Sequence, residues 1–346
     1  MEQLRVGIAG LGIGAAVHLP VFASMPGVRV EGVASSRPEK AAATADKYGV
    51  PHSFGDVSGL LELELDAIVL ALPPKINGLA AGSALKRGIA VLAEKPLAGD
   101  ADSARILADL ARGHTAMVNF QFAELRTFAE LGRQLEAGAI GILRYVHISW
   151  LSESWSHRRG QWSWKLDAGH HGGVMSMLGA HIFYLIEQLF GKIACIEAVY
   201  FDAAARALAP SGASPAEDTA LVRMEIENGL PVTVTVSNAA RGASVHRWEV
   251  VGSGATLELE NTANDPVAGF TLTRRERSGE RTTLASEVPT PGEDSRYQPV
   301  RNIARRFVDA ALHHAEASPD FSAGARVQRL LEATLEASRA SRMVVP

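Results

Sequence analysis

The feature that most constrains the fold of this chain is a glycine-rich turn near its N-terminus. The turn, Gly10-Leu11-Gly12-Ile13-Gly14-Ala15, lies between an apolar run, 4–9, and a helix-like segment, 16–25. The spacing fits Gly-x-Gly-x-x-Ala, which provides a tight turn, close backbone approach to a pyrophosphate and helix-on-strand packing. It therefore predicts a dinucleotide-binding strand-turn-helix with Gly10, Gly12, Ile13 and Gly14 at the cofactor. A turn that serves only packing is the alternative.

The composition is that of an ordinary globular protein of about two domains. The 346 residues are 47% hydrophobic with a formal net charge of −4, and no basic block predicts nucleic-acid binding. The single Cys195 excludes an intrachain disulfide and fits a reducing compartment. We expect no secretory leader and no run near the roughly 18 apolar residues of a membrane span. A cytoplasmic protein without a metal site is therefore expected.

Strand and helix patterns alternate from the N-terminus to about Phe120. Strands are predicted at 4–9, 28–34, 67–71, 90–93 and 115–120, with helices between them. This order is typical of an α/β fold, here a Rossmann domain over 1–121 with a doubly wound parallel sheet that binds ligands at the carboxyl ends of its strands. Because Gly10–Ala15, Leu72–Pro74 and Glu94–Pro96 all follow strands, we expect them to line one crevice.

The residues after the second predicted strand bear on the choice of cofactor. An acidic residue about 20 positions past the glycines binds the ribose 2′-hydroxyl of NAD, whereas an arginine accommodates the 2′-phosphate of NADP. This chain has Ser35-Ser36-Arg37 there, and its next carboxylate is Glu39. We therefore favour NADP over NAD. Use of both cofactors, or an Arg37 that is merely solvated, stays open.

The pattern changes after Phe120. A helix is predicted at 124–137, and long alternating strands at 143–151 and from Ile193 onward. They predict a C-terminal α+β domain over 122–346, with a large open, mostly antiparallel sheet. The segment 203–217 is expected to be a mobile loop. Apolar spacing predicts a helix around 300–312, and a last helix, 324–342, is expected to pack back onto the first domain.

A segment rich in glycine and histidine, 164–181, lies between the predicted domains. His181 falls at helical spacing with core residues, so it is either a buried core histidine or a functional one. Gly172-Gly173 would allow the backbone close to a ligand. A nicotinamide enzyme needs a group that takes the alcohol proton as hydride leaves carbon, and histidine or lysine can do so. Lys95 is the natural partner, unless it only pairs with Glu94 or Asp100 at the surface.

Three motifs in this order resemble those of the Gfo/Idh/MocA oxidoreductases, the glucose–fructose oxidoreductase and inositol dehydrogenase family. They are Gly10–Ala15, Glu94-Lys95-Pro96 and the segment from Gly172 to His181. The resemblance implies a hydroxyl or keto substrate that is a sugar, cyclitol or related polyol. It also implies a homodimer or homotetramer formed through the C-terminal sheet, and a cis peptide before Pro96.

The same resemblance implies roles for particular residues. Lys95 and His181 would be catalytic and would contact the substrate, together with Trp164, Lys165, His171 and Met177. The cofactor would contact residues at the strand ends beyond the glycine turn, namely Ser35, Ser36, Arg37, Leu72, Pro73, Asn77, Glu94, Lys95 and Gln121.

The chain departs from the family pattern where chemistry is expected. Typical members carry an aspartate four residues before the catalytic histidine, where this chain has Met177. His170, His171 or Gln121 would then supply the missing hydrogen-bonding partner. The leading hypothesis is an NAD(P)-dependent dehydrogenase or reductase acting on CH–OH groups. The alternative, motivated by Met177, is a non-catalytic NAD(P)-sensing regulatory protein on the same scaffold.

Overall fold

A computed structural model of the chain describes residues 3–288, 290–314 and 318–346. The chain divides into two compact units. The first consists of the chain up to Gln121 and of Arg296–Gln328, and the second of Phe122–Ser295 and Arg329–Pro346.

The first unit is built on a parallel sheet of six strands in the order β3-β2-β1-β4-β5-β6. The strands are β1 Leu4–Ala9, β2 Val28–Ala34, β3 His52–Phe54, β4 Ala67–Leu70, β5 Ala90–Ala93 and β6 Ala116–Val118. The predicted Rossmann fold is confirmed. The sequence analysis missed β3 because this strand has only three residues and no apolar run.

Five helices connect these strands. They are α1 Leu19–Ala23, which continues a π-helical turn at Gly14–His18, then α2 Pro38–Tyr48, α3 Val57–Leu61, α4 Pro74–Leu85 and α5 Ala101–Leu110. Prolines begin α2 and α4, where a missing N–H costs nothing. The side chains of Asp56 and Asp100 cap the backbone N–H groups at the starts of α3 and α5.

The second unit is built on an eight-stranded sheet in the order β14-β13-β12-β11-β7-β10-β9-β8. Its strands are β7 Leu143–Leu151, β8 Ile193–Phe201, β9 Thr219–Ile226, β10 Pro231–Ser237, β11 Val245–Gly252, β12 Ala255–Asn261, β13 Thr271–Glu276 and β14 Arg281–Ser286. All neighbours are antiparallel except β7 and β10, which pair in parallel. The prediction of a mostly antiparallel sheet is confirmed, with this one parallel pair in addition.

The helices of the second unit are α6 Arg126–Glu136, α7 Trp155–Arg159, α8 Ala180–Phe190 and α9 Ala203–Leu208. Helix α8 continues a second π-helical turn, Met175–Gly179. Helix α9 corrects the expectation of a loop over 203–217. The buried Asp218 accepts hydrogen bonds from the N–H groups of Ala204 and Ala205, at 2.8 and 3.0 Å. This cap comes from a residue distant in sequence, which periodicity cannot reveal.

Two helices end the chain, α10 Tyr297–His313 and α11 Phe321–Ala340. The apolar face of α10 lies in the core of the first unit, where the rings of Phe307 and Phe22 meet edge to face at 6.4 Å. The sequence analysis placed 122–346 in the second domain and expected only the last helix to return. Here α10 belongs wholly to the first unit, whereas α11 belongs to it only as far as Gln328. Burial of the α10 face, rather than order along the chain, decides this membership.

One segment among the described residues, Ala168–Phe190, is long and apolar enough to pass the test for a membrane span. This corrects the expectation that no run comes near that length. The segment contains the whole of α8, and Ile182, Phe183 and Ile186 are core residues of the second unit. Since 61% of its most apolar window is buried, it is weak support for a span. The cytoplasmic location stays a prediction.

Candidate active site

The glycine turn lies at the carboxyl end of β1. Gly10 has a φ of +91°, and a Cβ atom there would lie 2.1 Å from the carbonyl oxygen of Ala71, so only glycine fits. A Cβ at Gly12 would meet nothing within 4 Å, so its backbone is open to an approaching group. Gly14 begins the π-helical turn, and Ile13 packs against the apolar core below.

The residues after β2 present polar groups near the same edge of the sheet. Ser35 is buried, and its hydroxyl accepts a hydrogen bond from the backbone N–H of Arg37 at 3.2 Å. Ser36 and Arg37 are exposed. The guanidinium of Arg37 makes no ion pair with any described residue, so its charge is available to an anion.

The loops after β4 and β5 are joined by Asn77. This residue is fully buried at the start of α4. Its side-chain oxygen accepts from the N–H of Leu72 at 3.4 Å, and its Nδ2 donates to the backbone oxygen of Glu94 at 3.2 Å. Leu72 and Pro73 are therefore tied to the Glu94-Lys95 segment. The Lys95–Pro96 peptide bond is cis, as the resemblance implied.

Glu94 lies in a network of polar side chains, of which His18 and Asn119 are buried and Glu94 and Gln121 are partly buried. Its Oε1 is 2.9 Å from Nε2 of His18 and accepts a hydrogen bond from Nδ2 of Asn119 at 2.7 Å. The same Nδ2 also reaches Oε1 of Gln121 at 3.4 Å. The network connects the end of β5 with the residues after β6 and with the π-helical turn before α1.

The charge of Glu94 follows from this network. Burial favours the neutral carboxyl and so raises its pKa. The hydrogen bond and charge of His18, the charge of Lys95 and the hydrogen bond from Asn119 outweigh that effect, and the net pKa lies below its usual value. Glu94 is therefore an ionised carboxylate held at the crevice edge.

In the second unit, the Trp164-Lys165 segment lies against Gly172-Gly173. The N–H of Gly173 donates to the backbone oxygen of Lys165 at 2.8 Å. A Cβ at Gly172 would lie 2.6 Å from the carbonyl oxygens of Trp164 and Lys165. These glycines were expected to allow close approach of a ligand, but the groups beside them belong to the chain itself: backbone carbonyls at Gly172 and the Glu217 carboxylate at Gly173. Desolvation lowers the pKa of the Lys165 ammonium.

Glu217 is an additional carboxylate that the sequence analysis missed. Its Oε1 accepts a hydrogen bond from the N–H of Met175 at 3.0 Å, and a Cβ at Gly173 would lie 2.2 Å from that oxygen. Burial raises the pKa of Glu217 to about 7, helped by the charge of Asp218 and opposed by backbone hydrogen bonds. Glu217 thus closes the start of the helix that carries His181.

The two other histidines of the segment differ in their surroundings. His171 has a φ of +57° and ends the turn Ala168–His170. His170 is exposed, and its Nδ1 lies 3.0 Å from Oδ2 of Asp167. Met177, where the family pattern has aspartate, lies inside the π-helical turn before α8.

His181 is the second residue of α8 and is buried against aromatic rings. The ring of Phe122 meets it edge to face at 4.8 Å between centroids, and Trp150 lies at 6.4 Å. Trp150 in turn stacks on His246 at 3.9 Å. Burial lowers the pKa of His246 to about 3, so this neighbour is neutral at physiological pH.

The first unit fits a bound dinucleotide. The open backbone at Gly12 and the helix start after it provide N–H groups for a pyrophosphate. The strand order reverses between β1 and β4, which is the point where open α/β sheets bind their ligands. The residues that were predicted from the sequence to contact the cofactor therefore lie along one edge of the parallel sheet. His18 and Asn119 join that set, although the sequence analysis did not single them out.

Comparison with known proteins covers nearly the whole chain. Residues 4–122 match the oxidoreductase family model described as an NAD-binding Rossmann fold, and residues 133–346 match the model of the C-terminal alpha/beta domain of the same family. Both belong to the Gfo/Idh/MocA oxidoreductases.

Individual relatives agree with this assignment. A dTDP-3,4-didehydro-2,6-dideoxy-alpha-D-glucose 3-reductase of Streptomyces violaceoruber is 28% identical over 98% of this chain and 96% of its own. Inositol 2-dehydrogenase 4 of Saccharopolyspora erythraea is 30% identical over 75% and 74%. The fold matches that of levoglucosan dehydrogenase in complex with NADH and levoglucosan, with a TM-score of 0.87, 20% identity and full coverage of both chains. With both of its domains matched, the chain belongs to the Gfo/Idh/MocA family of NAD-binding oxidoreductases.

Proposed function

We propose that this protein transfers a hydride between a nicotinamide cofactor and a hydroxyl or keto carbon of a sugar, cyclitol or related polyol. The observation that carries the proposal is the placement of Lys95 beside an ionised Glu94 at the carboxyl end of β5. This is the same sheet edge that bears the open glycine turn. The family relatives named for reactions on an inositol and on a nucleotide-linked sugar support the substrate class.

The two proposed catalytic residues divide the work. When bound, the cofactor accepts or supplies the hydride at its C4 atom. His181 takes the alcohol proton in oxidation and returns it in reduction. Lys95 polarises the reacting oxygen. The aromatic rings of Phe122 and Trp150 pack against the imidazole and contribute to its orientation.

The proposed substrate contacts come from the second unit. Trp164 offers an apolar surface to a sugar ring, and Lys165 a partly desolvated ammonium to a hydroxyl. His171 and Met177 complete this set. The left-handed backbone at His171 directs that side chain from a tight turn.

We propose NADP as the preferred cofactor, with NAD accepted less well. The support is the exposed guanidinium of Arg37, which forms no ion pair within the described ranges, and the two neighbouring serine hydroxyls, with no acidic residue between Ser35 and Glu39. Arg37→Asp should lower the affinity for NADPH about 10-fold or more relative to NADH, because it removes a charge-assisted contact and adds repulsion. Fluorescence titration of both cofactors measures this ratio.

The central experiment is a turnover screen of the purified chain. Formation or consumption of NADPH and NADH is followed at 340 nm across sugars, cyclitols, their keto forms and nucleotide-linked sugars. Turnover of at least one such compound is expected. Cofactor binding without turnover across this panel would contradict the proposed reaction.

We also propose that the open sheet face forms a homodimer or homotetramer. Large apolar side chains of neighbouring strands β8 and β9 are exposed there, namely Val199, Phe201 and Leu221. Leu221→Lys should therefore lower the mass measured by light scattering, and an unchanged mass would exclude this face.

The second candidate function is a non-catalytic NAD(P) sensor. It is favoured only by Met177, which removes a carboxylate from the turn before His181. A sensor would keep its cofactor affinity and its biological activity in Lys95→Ala and His181→Ala. An enzyme would lose turnover in both variants.

A further inference from the structure

A buried histidine of the first unit has no role in the function proposed above. His18 is the last residue of the π-helical turn after the glycine turn, and its side chain is fully buried. We propose that His18 is a positioning residue that fixes the charged Glu94 carboxylate at the nicotinamide end of the cofactor. This inference rests on the proposed function for its effect on turnover.

The geometry indicates which ring nitrogen of His18 donates to Glu94. Its Nε2 lies 2.9 Å from Oε1 of Glu94. An ionised carboxylate only accepts hydrogen bonds, so Nε2 carries the hydrogen. Nδ1 is buried and has no hydrogen-bond partner among the described residues. The contact with Glu94 is therefore the only side-chain hydrogen bond that this part of the structure provides for His18.

The strand order places this contact at one end of the crevice. The polar residues Ser35, Ser36 and Arg37 follow β2, on one side of the glycine turn. Glu94 follows β5, on the other side. With the pyrophosphate at the turn and the adenosine ribose at the end of β2, the nicotinamide half extends over β4 and β5. Glu94 then lies at the reacting half of the cofactor.

The π-helical turn brings His18 to this position. The N–H of Leu19 bonds to the oxygen of Gly14, five residues earlier instead of four. Such wide turns are rare and are frequently found at functional sites. A fully buried histidine with one unsatisfied ring nitrogen also costs stability. The rare turn and the buried, unsatisfied ring nitrogen thus occur together at His18.

The chemical effect of His18 concerns the charge beside Lys95. Burial alone would favour a neutral Glu94, whereas His18, Asn119 and Lys95 favour the carboxylate. Asn77 holds only the backbone of Glu94. Without the His18 donor, the balance moves toward the protonated carboxyl, and Lys95 loses a neighbouring negative charge.

The first test requires no turnover. Glutamate labelled with ¹³C at the carboxyl reports the titration of Glu94 by NMR, and Glu94→Gln assigns the signal. In His18→Leu, the midpoint should rise by about one pH unit, because a charge-assisted hydrogen bond is lost. His18→Gln offers an amide donor in a similar place and should stay near the wild type. His52→Leu, at an exposed histidine of β3, is the matched control.

The second test uses turnover with a substrate found in the screen. His18→Leu should lower kcat about 10-fold or more, while the dissociation constant of NADPH or NADH changes less than about 3-fold. The acid limb of its pH–rate profile should move to higher pH. His18→Gln should recover most of kcat, and His52→Leu should leave it unchanged.

Several results would overturn the proposal. One is a Glu94 titration that is the same in wild type, His18→Leu and His18→Gln. Another is a Glu94→Gln variant that retains full kcat while His18→Leu loses it. If His18→Leu does not fold, His18→Asn, whose amide is too short to reach Glu94, replaces it. An empty screen would contradict the proposed reaction but leave the NMR result decisive for the His18–Glu94 contact.

Discussion

Two π-helical turns among the described residues lead into α-helices, and a buried histidine lies near each junction. In the first unit, His18 contacts Glu94 at 2.9 Å, and Asn119 donates to the same carboxylate oxygen at 2.7 Å. In the second unit, the described ring neighbours of His181 are Phe122 and Trp150, at 4.8 and 6.4 Å between centroids. The π-helical turn is thus combined with polar partners of the histidine in the first unit and with aromatic neighbours of the histidine in the second.

The difference shows two ways of fixing a functional side chain. Hydrogen bonds from His18 in the π-helical turn and from Asn119 after β6 help to set both the position and the charge of Glu94. Edge-to-face packing sets the position of an imidazole but supplies no carboxylate. The first unit retains the glycine turn and the Glu94-Lys95-Pro96 motif, whereas the second carries Met177 where the family pattern has aspartate.

The largest effect that would sharpen this comparison is expected at the proposed catalytic residues. Lys95→Ala and His181→Ala should each lower kcat by about 10²–10⁴-fold, because each removes a group that moves or stabilises a proton or charge. Cofactor affinity, measured by fluorescence, should stay within about 3-fold. His52→Ala, at an exposed histidine of β3, is the control. If His181→Ala keeps full activity, His181 is only a core residue and not a catalytic one.

A pair of glycine variants separates folding from cofactor binding in the first unit. Gly10→Ala should destabilise the unit by about 2 kcal/mol or more, since its Cβ meets a carbonyl oxygen at 2.1 Å and φ is +91°. Gly12→Ala should fold normally but bind NADPH and NADH at least about 10-fold more weakly. Circular dichroism melts and fluorescence titrations measure the two effects. If Gly12→Ala binds the cofactors as tightly as the wild type, the pyrophosphate does not bind at the glycine turn.

The buried carboxylates of the two units should respond to pH with opposite sign. The pKa of Glu217 is raised to about 7, so its contribution to stability is present at low pH and is lost as the pH rises from about 4.5 to about 7. The pKa of Glu94 is lowered, so its contribution is present at higher pH and is lost as the pH falls through that pKa.

Urea unfolding followed by tryptophan fluorescence tests Glu217, because all five tryptophans lie in the second unit. Stability should fall by about 1–3 kcal/mol between pH 4.5 and 7. Glu217→Gln can still accept from Met175 and should remove this fall. Glu225→Gln, at an exposed glutamate, should keep it. If Glu217→Gln shows the same decrease in stability over this pH range, the decrease is caused by other titrating groups.

The smallest effect tests the aromatic packing of His181. Phe122→Leu and Phe128→Leu should each cost about 1–2 kcal/mol, because both rings pack edge to face in one cluster. Of these two residues, Phe122 has the described ring contact with His181, so Phe122→Leu should lower kcat by about 3–10-fold and Phe128→Leu should not. Equal kcat in the two variants would remove the proposed positioning role of Phe122.

Features of the fold that depend on neighbouring residues in the sequence could be predicted from the sequence. The turn at Gly10, the prolines that begin α2 and α4, and the alternation of β9 all follow from backbone and burial rules. Features with long-range causes were not readable. Helix α9 depends on Asp218, and α3 is too short to show periodicity. Gly172-Gly173 gave a correct signal of close approach, but the approaching group is the chain itself.

By itself, the sequence determined the parallel nucleotide-binding sheet, the second sheet and the resemblance to the family, because periodicity and short motifs encode them locally. Only the tertiary structure decided that α10 joins the first unit, that His18 and Asn119 hold Glu94, and that Glu217 caps the start of the His181 helix. These contacts join residues up to 76 positions apart or depend on the burial of one helix face. Such partners are chosen by the packing of the folded chain, and no local pattern records them.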